Sequence, residues 1–230
     1  MDTEKTALVL GATGGVGGAI AAALLGKGWT VRGLARNMEA ARRSGASRIE
    51  WVGGDAMNRA DVMRAAQGVS TIVHAVTPPG YKNWGKLVLP MIDNTIAAAR
   101  TVGARVVLPG TVYNFDPART PGLSETSPQN PKSHKGRIRV ELEARLERAA
   151  PEVESLILRA GDFFGPGSPR PWLHKASRYG GSSTLRAGLG TLGHICPTWP
   201  KPSRCCSSTP KTCGRSSGRS SRGFTMGAGR

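Results

Sequence analysis

Three glycines, Gly11, Gly14 and Gly17, recur at every third position between a short apolar run, Thr6–Leu10 (TALVL), and an alanine- and leucine-rich stretch, Val16–Leu25. Glycine lets the chain turn tightly and lets backbone N–H groups come close to a diphosphate. A helix beginning at such a turn adds the partial positive charge of its N-terminus. Thr13, Gly15 and Val16 fill further places of the loop and the first helical turn. A glycine-rich turn alone is often only a turn. Here it lies between a strand signal and a helix signal, the arrangement that holds the diphosphate of a dinucleotide.

The second strand signal, Thr30–Ala35, runs into Arg36 and Asn37. An acidic residue at that point would accept from a ribose 2′-hydroxyl, whereas an arginine accommodates a 2′-phosphate. Arg36 therefore points to NADP, with NAD as the alternative, through a charge-assisted contact. The bland alternative is a solvated surface arginine. Arg32, inside the strand, is a weaker candidate. Asp55 and Ala56 follow the third strand, where a carboxylate can accept from the adenine amino group. His74, Ala75 and Val76 end the fourth, where backbone borders the nicotinamide ribose. The His74 side chain itself reads as packed core rather than as a catalyst.

These residues need a scaffold that brings successive strand ends together. Strand signals at Thr6–Leu10, Thr30–Ala35, Arg48–Val52, Thr71–Ala75, Arg105–Leu108 and Ser155–Leu158 alternate with helix signals at Val16–Leu25, Glu39–Ser44, Asp61–Gln67, Lys86–Val102 and Lys135–Ala149. Strict alternation predicts an α/β fold, a doubly wound parallel sheet of the Rossmann kind. Fully apolar strands such as TALVL and SLIL suit burial on both faces.

Composition divides the chain in two. Apolar residues make up 39% and charged residues 20%, an ordinary globular balance, but the net charge is +17. All 15 acidic residues lie at or before Asp162, and the stretch from Phe163 to Arg230 holds 11 Lys/Arg and no acid. Residues 1–167 read as an NAD(P)-binding domain and 168–230 as an irregular, disordered basic tail. The tail carries Cys196, Cys205, Cys206 and Cys213, whose spacing fits no zinc site. No signal peptide and no membrane-length apolar run is visible, so a cytoplasmic location is expected. The tail's few aromatics and lack of a folded face argue against a nucleic-acid partner, leaving a small-molecule substrate as the expected one.

In combination, LGATGGVG (Leu10–Gly17), GGDAMN (Gly53–Asn58), VHAVTPP (Val73–Pro79), VVLPGTVYNF (Val106–Phe115) and LILRAGDFFGPG (Leu156–Gly167) resemble the extended and atypical short-chain dehydrogenase/reductases, the NAD-dependent epimerase/dehydratase group. The resemblance covers about residues 5–167. It implies a proton-relaying tyrosine followed four residues later by a lysine that holds the nicotinamide ribose. The equivalent segment, PKSHKGRIRVELE, contains no tyrosine. Ser133 and Arg137 take the two places in one register, Lys135 and Arg139 in the other. The family's serine place falls on Pro109, with Thr111 nearby, and Tyr113 resembles a structural tyrosine. The candidate catalytic groups are therefore Thr111, Tyr113 and Lys135, with Arg139 as a cofactor ligand. Arginine stays charged and is a poor proton acceptor. The resemblance implies an NADP-linked oxidoreductase or epimerase-like activity on a small molecule. A non-catalytic cofactor-binding redox sensor or regulator is the alternative.

The break in composition points to a C-terminus read out of frame, with a genuine basic, disordered extension as the alternative. Gly190–Lys201 (GTLGHICPTWPK) can be written in codons that, read from the third base of the first, encode HAWAYLPDVAE. This resembles the family's V-x-D-V-A stretch. On this reading the substrate-side lobe is missing, and the chain is impaired and poorly stable, with apolar surface exposed where the lobe would sit. Resequencing the gene is expected to find the third-base frame open and encoding YLPDVAE. Stop codons in that frame would end the idea.

Overall fold

The computed structural model describes residues 5–44, 48–78, 83–116, 118–119, 123–161 and 206–207. Six strands alternate with five helices: β1 (Thr6–Leu10), α1 (Gly15–Gly26), β2 (Thr30–Ala35), α2 (Met38–Arg43), β3 (Ile49–Gly53), α3 (Arg59–Ala65), β4 (Thr71–His74), α4 (Trp84–Val102), β5 (Arg105–Thr111), α5 (His134–Ala149) and β6 (Ser155–Ala160). A 3-10 turn, Val112–Asn114, follows β5, and a two-residue strand, β7 (Cys206–Ser207), completes the sheet. The strand order is β3-β2-β1-β4-β5-β6-β7, all pairs parallel. The chain thus winds outward from β1 in one direction, then returns to β4 and winds outward in the other. The crevice at the C-terminal ends of β1 and β4 is where such a sheet binds its ligand.

The double winding follows from side-chain alternation along the strands. On β1, Leu8 and Leu10 join Ile72 of β4 in a core under α3, α4 and α5. Val9 joins Val31, Ile49 and Val73 in a second core under α1. All five residues of β1 are buried. A strand with both faces covered must be apolar throughout, as TALVL is.

The boundaries differ from the sequence reading where local chemistry outweighs periodicity. α3 starts at Arg59 rather than Asp61, because the Asn58 side chain accepts from the Ala60 N–H and caps the helix there. Asn37 likewise starts α2 one residue early, accepting from the Ala40 N–H. β5 runs through Pro109 to Thr111. Its last pair with β4 is Val73 with Val107, so a proline two residues on lies beyond the β4 ladder, while pairing with β6 continues to Thr111. Within the tail, β7 pairs Cys206 and Ser207 with Leu158 and Arg159. Backbone bonding to an open strand edge needs no side-chain period, so the sequence carried no sign of it. The rest of the tail lies outside the described residues.

Candidate functional site

The glycine loop joins β1 to α1 with almost no room. Gly11 has φ +87°, and a Cβ there would lie 2.7 Å from the Ala75 carbonyl oxygen. A Cβ on Gly17 would lie 2.2 Å from the Gly11 carbonyl oxygen. Gly14 precedes α1 in extended conformation, and its N–H donates to Gly11 O at 2.9 Å. Its own carbonyl accepts from Gly18 N–H. Thr13, Gly14 and Gly15 are exposed and Val16 is half-buried, so the first turn of the helix faces the crevice open to solvent. A helix N-terminus with no acidic residue in its first turn suits an anion.

Arg36 stands just past β2, exposed and with no partner among the described residues. Arg32 is different. Its guanidinium donates to the carbonyls of Ala65 and Gln67 at 2.8 Å and pairs with Glu50, which ties β2 to the end of α3. The weaker of the two arginine candidates is thus occupied in holding the fold together.

Beyond β3, the turn carrying Asp55 and Ala56 is bonded from several sides. Asp61 accepts from the Asp55 N–H, Asp55 Oδ1 accepts from the Met57 N–H, and the Asn58 N–H donates to Asp55 O. Asn94 on α4 donates to Ala56 O at 3.0 Å. Asp55 Oδ2 and the Ala56 N–H remain without a partner among the described residues. One acceptor beside one donor can take the Watson–Crick edge of adenine, whose amino group donates and whose N1 accepts.

At the end of β4, His74 is 3% exposed. Its Nδ1 lies 2.8 Å from Thr95 Oγ1, whose own proton goes to Met91 O. Thr95 must therefore accept, which places the histidine proton on Nδ1. Nε2 is buried without a hydrogen-bond partner. Burial pushes the His74 pKa down to about 3, and the charge of Arg139 adds to the effect. His74 is a neutral packed histidine, as its place in an apolar strand suggests. Ala75 and Val76, half-buried, continue the crevice wall, and Ala75 N–H bonds Leu10 O.

The residues of the two registers on α5 make different contacts. Ser133 caps the helix by accepting from Gly136 N–H, and Arg137 turns back to Lys132 O. Both are exposed. Arg139 lies over the Trp84 ring at 4.9 Å and acts electrostatically on His74. In the register that puts Lys135 and Arg139 in the tyrosine and lysine places, the second member is the one whose charge is felt at His74. Lys135 is exposed one turn earlier. The 3-10 turn packs on the start of α5: a Cβ on Gly136 would lie 2.6 Å from Tyr113 O. Thr111 is buried and its hydroxyl accepts from Tyr113 N–H, while Tyr113 is half exposed.

One cluster was missed. Glu143 on α5 and Arg159 on β6 form a buried ion pair, with Nη2 to Oε2 at 2.7 Å and Nε to Oε2 at 3.0 Å. Gln129 donates to the same oxygen and accepts from Asn114. A glutamate in a charged helix reads as solvated, so its burial left no sign; the arginine's place in LILRAG was the available hint. The cluster fastens α5, the 3-10 turn and the loop before α5 to the end of β6. Among the described residues no group of His, Cys, Asp or Glu could hold a metal ion, and no helix is long and apolar enough to cross a membrane.

A doubly wound parallel sheet with a glycine loop at its crossover defines a Rossmann domain for a nicotinamide dinucleotide. The chain belongs to the NAD(P)H-binding family, whose profile matches residues 11–161. It is 30% identical over 177 residues to a 3-diazoavenalumate denitrifying reductase from Streptomyces sp, covering 70% of this chain and 57% of that protein. A short-chain dehydrogenase/reductase superfamily protein from Agrobacterium tumefaciens with bound NAD is 26% identical, with a TM-score of 0.56 over 67% of this chain and 48% of that one. UDP-glucose 4-epimerase from Thermus thermophilus, in complex with NAD, shares the fold at 23% identity, with a TM-score of 0.61 over 72% and 58% of the two chains. The chain thus spans about half to three-fifths of the length of these relatives. It is an NAD(P)H-binding protein.

The neutral His74 makes stability depend on pH. Its folded pKa lies below the ordinary 6.5, so the unfolded chain binds the proton more readily, and stability falls as pH drops from 6.5 towards 3. The loss expected by pH 5 is about 2 kcal/mol. Denaturant melts of the protein and of His74→Gln between pH 7.5 and 5 measure it. An unchanged slope in the variant would contradict the assignment.

Proposed function

We propose that this chain binds NADP(H) and belongs to a reductase that transfers a hydride to a small electrophile. Arg36 carries the cofactor choice: it stands where an acid would select NAD, exposed and without a partner among the described residues. The glycine loop (Gly11, Thr13, Gly14, Gly15, Val16, Gly17) would take the diphosphate and Asp55 with Ala56 the adenine. Ala75, Val76 and the backbone of His74 would border the nicotinamide ribose, with Arg139 donating to its hydroxyls.

When bound, the cofactor supplies or takes up a hydride. The residues around it limit what can be done with a proton. Arg139 keeps its charge and His74 is neutral at physiological pH. Lys135 occupies the place of the family's phenol, with Thr111 and Tyr113 as the nearby hydroxyls. Such a site suits an acceptor that asks no proton of the protein. A diazonium carbon is one, since it takes hydride and releases dinitrogen. The reductase relative, whose printed name describes a denitrifying reduction, supports testing that class first. The lack of a phenol on α5 equally favours the second reading, a cofactor-binding sensor without turnover.

Calorimetric titration is expected to give tighter binding of NADP+ than of NAD+ by about ten- to hundredfold, the worth of a charge-assisted phosphate contact. Arg36→Ala should abolish the preference, and equal affinities in the unaltered chain would remove the argument. With simple aldehydes and ketones, NADPH consumption is expected to stay far below the usual enzyme range of about 1–1,000 per second. Turnover within that range would show a proton relay that this assignment lacks.

A further inference from the structure

We propose that Asn94 sets the base specificity of the dinucleotide groove. It would act as a positioning residue for the Asp55–Ala56 pair, and the proposal rests on the reading of that pair as the adenine site. Asn94 lies half-buried on α4, 38 residues from the turn it bonds. Its Nδ2 donates to Ala56 O at 3.0 Å. The N–H at the other end of the same peptide, that of Met57, donates to Asp55 Oδ1 at 2.9 Å. One peptide plane is therefore gripped at its oxygen by Asn94 and at its nitrogen by the Asp55 carboxylate.

That geometry ties the orientation of Asp55 to Asn94. A carboxylate has two oxygens, and with Oδ1 fixed by Met57 N–H the direction of Oδ2 is fixed as well. The Ala56 side chain is buried in the core cluster that also holds Leu34 and Val62, which anchors the turn. The groups left over, Oδ2 and the Ala56 N–H, form an acceptor–donor pair that matches adenine. Hypoxanthine offers the reverse edge, an N1–H that donates and an O6 that accepts. If Asn94 lets go of Ala56 O, the peptide plane is free to rotate and the carboxylate rotates with it. Adenine binding then loses the oriented bond to Oδ2, while a ligand that never used it loses nothing.

Equilibrium titrations of the full chain with NADP+, its hypoxanthine analogue and nicotinamide mononucleotide test this, using the natural chain and Asn94→Leu. The natural chain is expected to favour the adenine form by about tenfold. In Asn94→Leu, affinity for NADP+ should fall by about tenfold. The hypoxanthine analogue should change by no more than about twofold and the mononucleotide not at all. If the natural chain fails to distinguish the two bases, the reading of Asp55 and Ala56 falls and this proposal with it. If it distinguishes them and Asn94→Leu keeps the same ratio, the role of Asn94 alone is overturned. An equal loss for all three ligands also overturns it, since that is the signature of a support for the fold. Asn94→Asp, which keeps the size and removes the donor, should give the same selective loss should the leucine variant be insoluble.

Discussion

The groove depends on a contact that only two glycines permit. The carbonyl of Gly11 lies where a Cβ on Gly17 would have to sit, at 2.2 Å. Gly11 itself, at φ +87°, leaves no space for a side chain against the Ala75 carbonyl. The end of β1, the start of α1 and the end of β4 are therefore drawn together more closely than side chains allow. This convergence aims the α1 N-terminus into the crossover crevice, and it sets the positions of Arg36, Asp55 and His74 around it. Loss of either glycine would separate elements that no other contact of the loop could bring back.

Much of this was legible from residue type because the same residues serve fold and ligand. The glycine spacing, the apolar β1 and the alternation of strand with helix each admit few structures. Arg36 was legible as a position rather than as a contact, since the strand end defines it. Less was legible where a side chain's partner lies far along the chain. Glu143 and Arg159 are 16 residues apart and meet only because β6 lies beside β5 and α5 covers both. Asn94 gives no sign of its bond to Ala56, because a polar residue in a helix is ordinarily solvated. The register of α5 was open for a similar reason: Ser133/Arg137 and Lys135/Arg139 are equally good sequence matches. In the fold Ser133 caps α5 and Arg139 stacks on Trp84.

The electrostatics around α5 differ from a proton-relay site in a definite way. A lysine beside a phenol can exchange protons, whereas Arg139 is a fixed cation. Its neighbour His74 is held neutral by burial first and by that cation second. Deeper in the fold, Glu143 balances Arg159. Arg139 itself keeps its charge at every physiological pH. Such a charge favours anionic parts of a ligand and leaves proton supply to Lys135, a hydroxyl or the substrate.

Two adjacent residues of α4 hold the two ends of the groove, Asn94 the turn at Ala56 and Thr95 the end of β4 at His74. A continuous helix keeps its neighbours at a fixed spacing. The turn after β3 and the end of β4 are therefore held at one spacing by a single element, and a shift of α4 along its axis would move both anchors together.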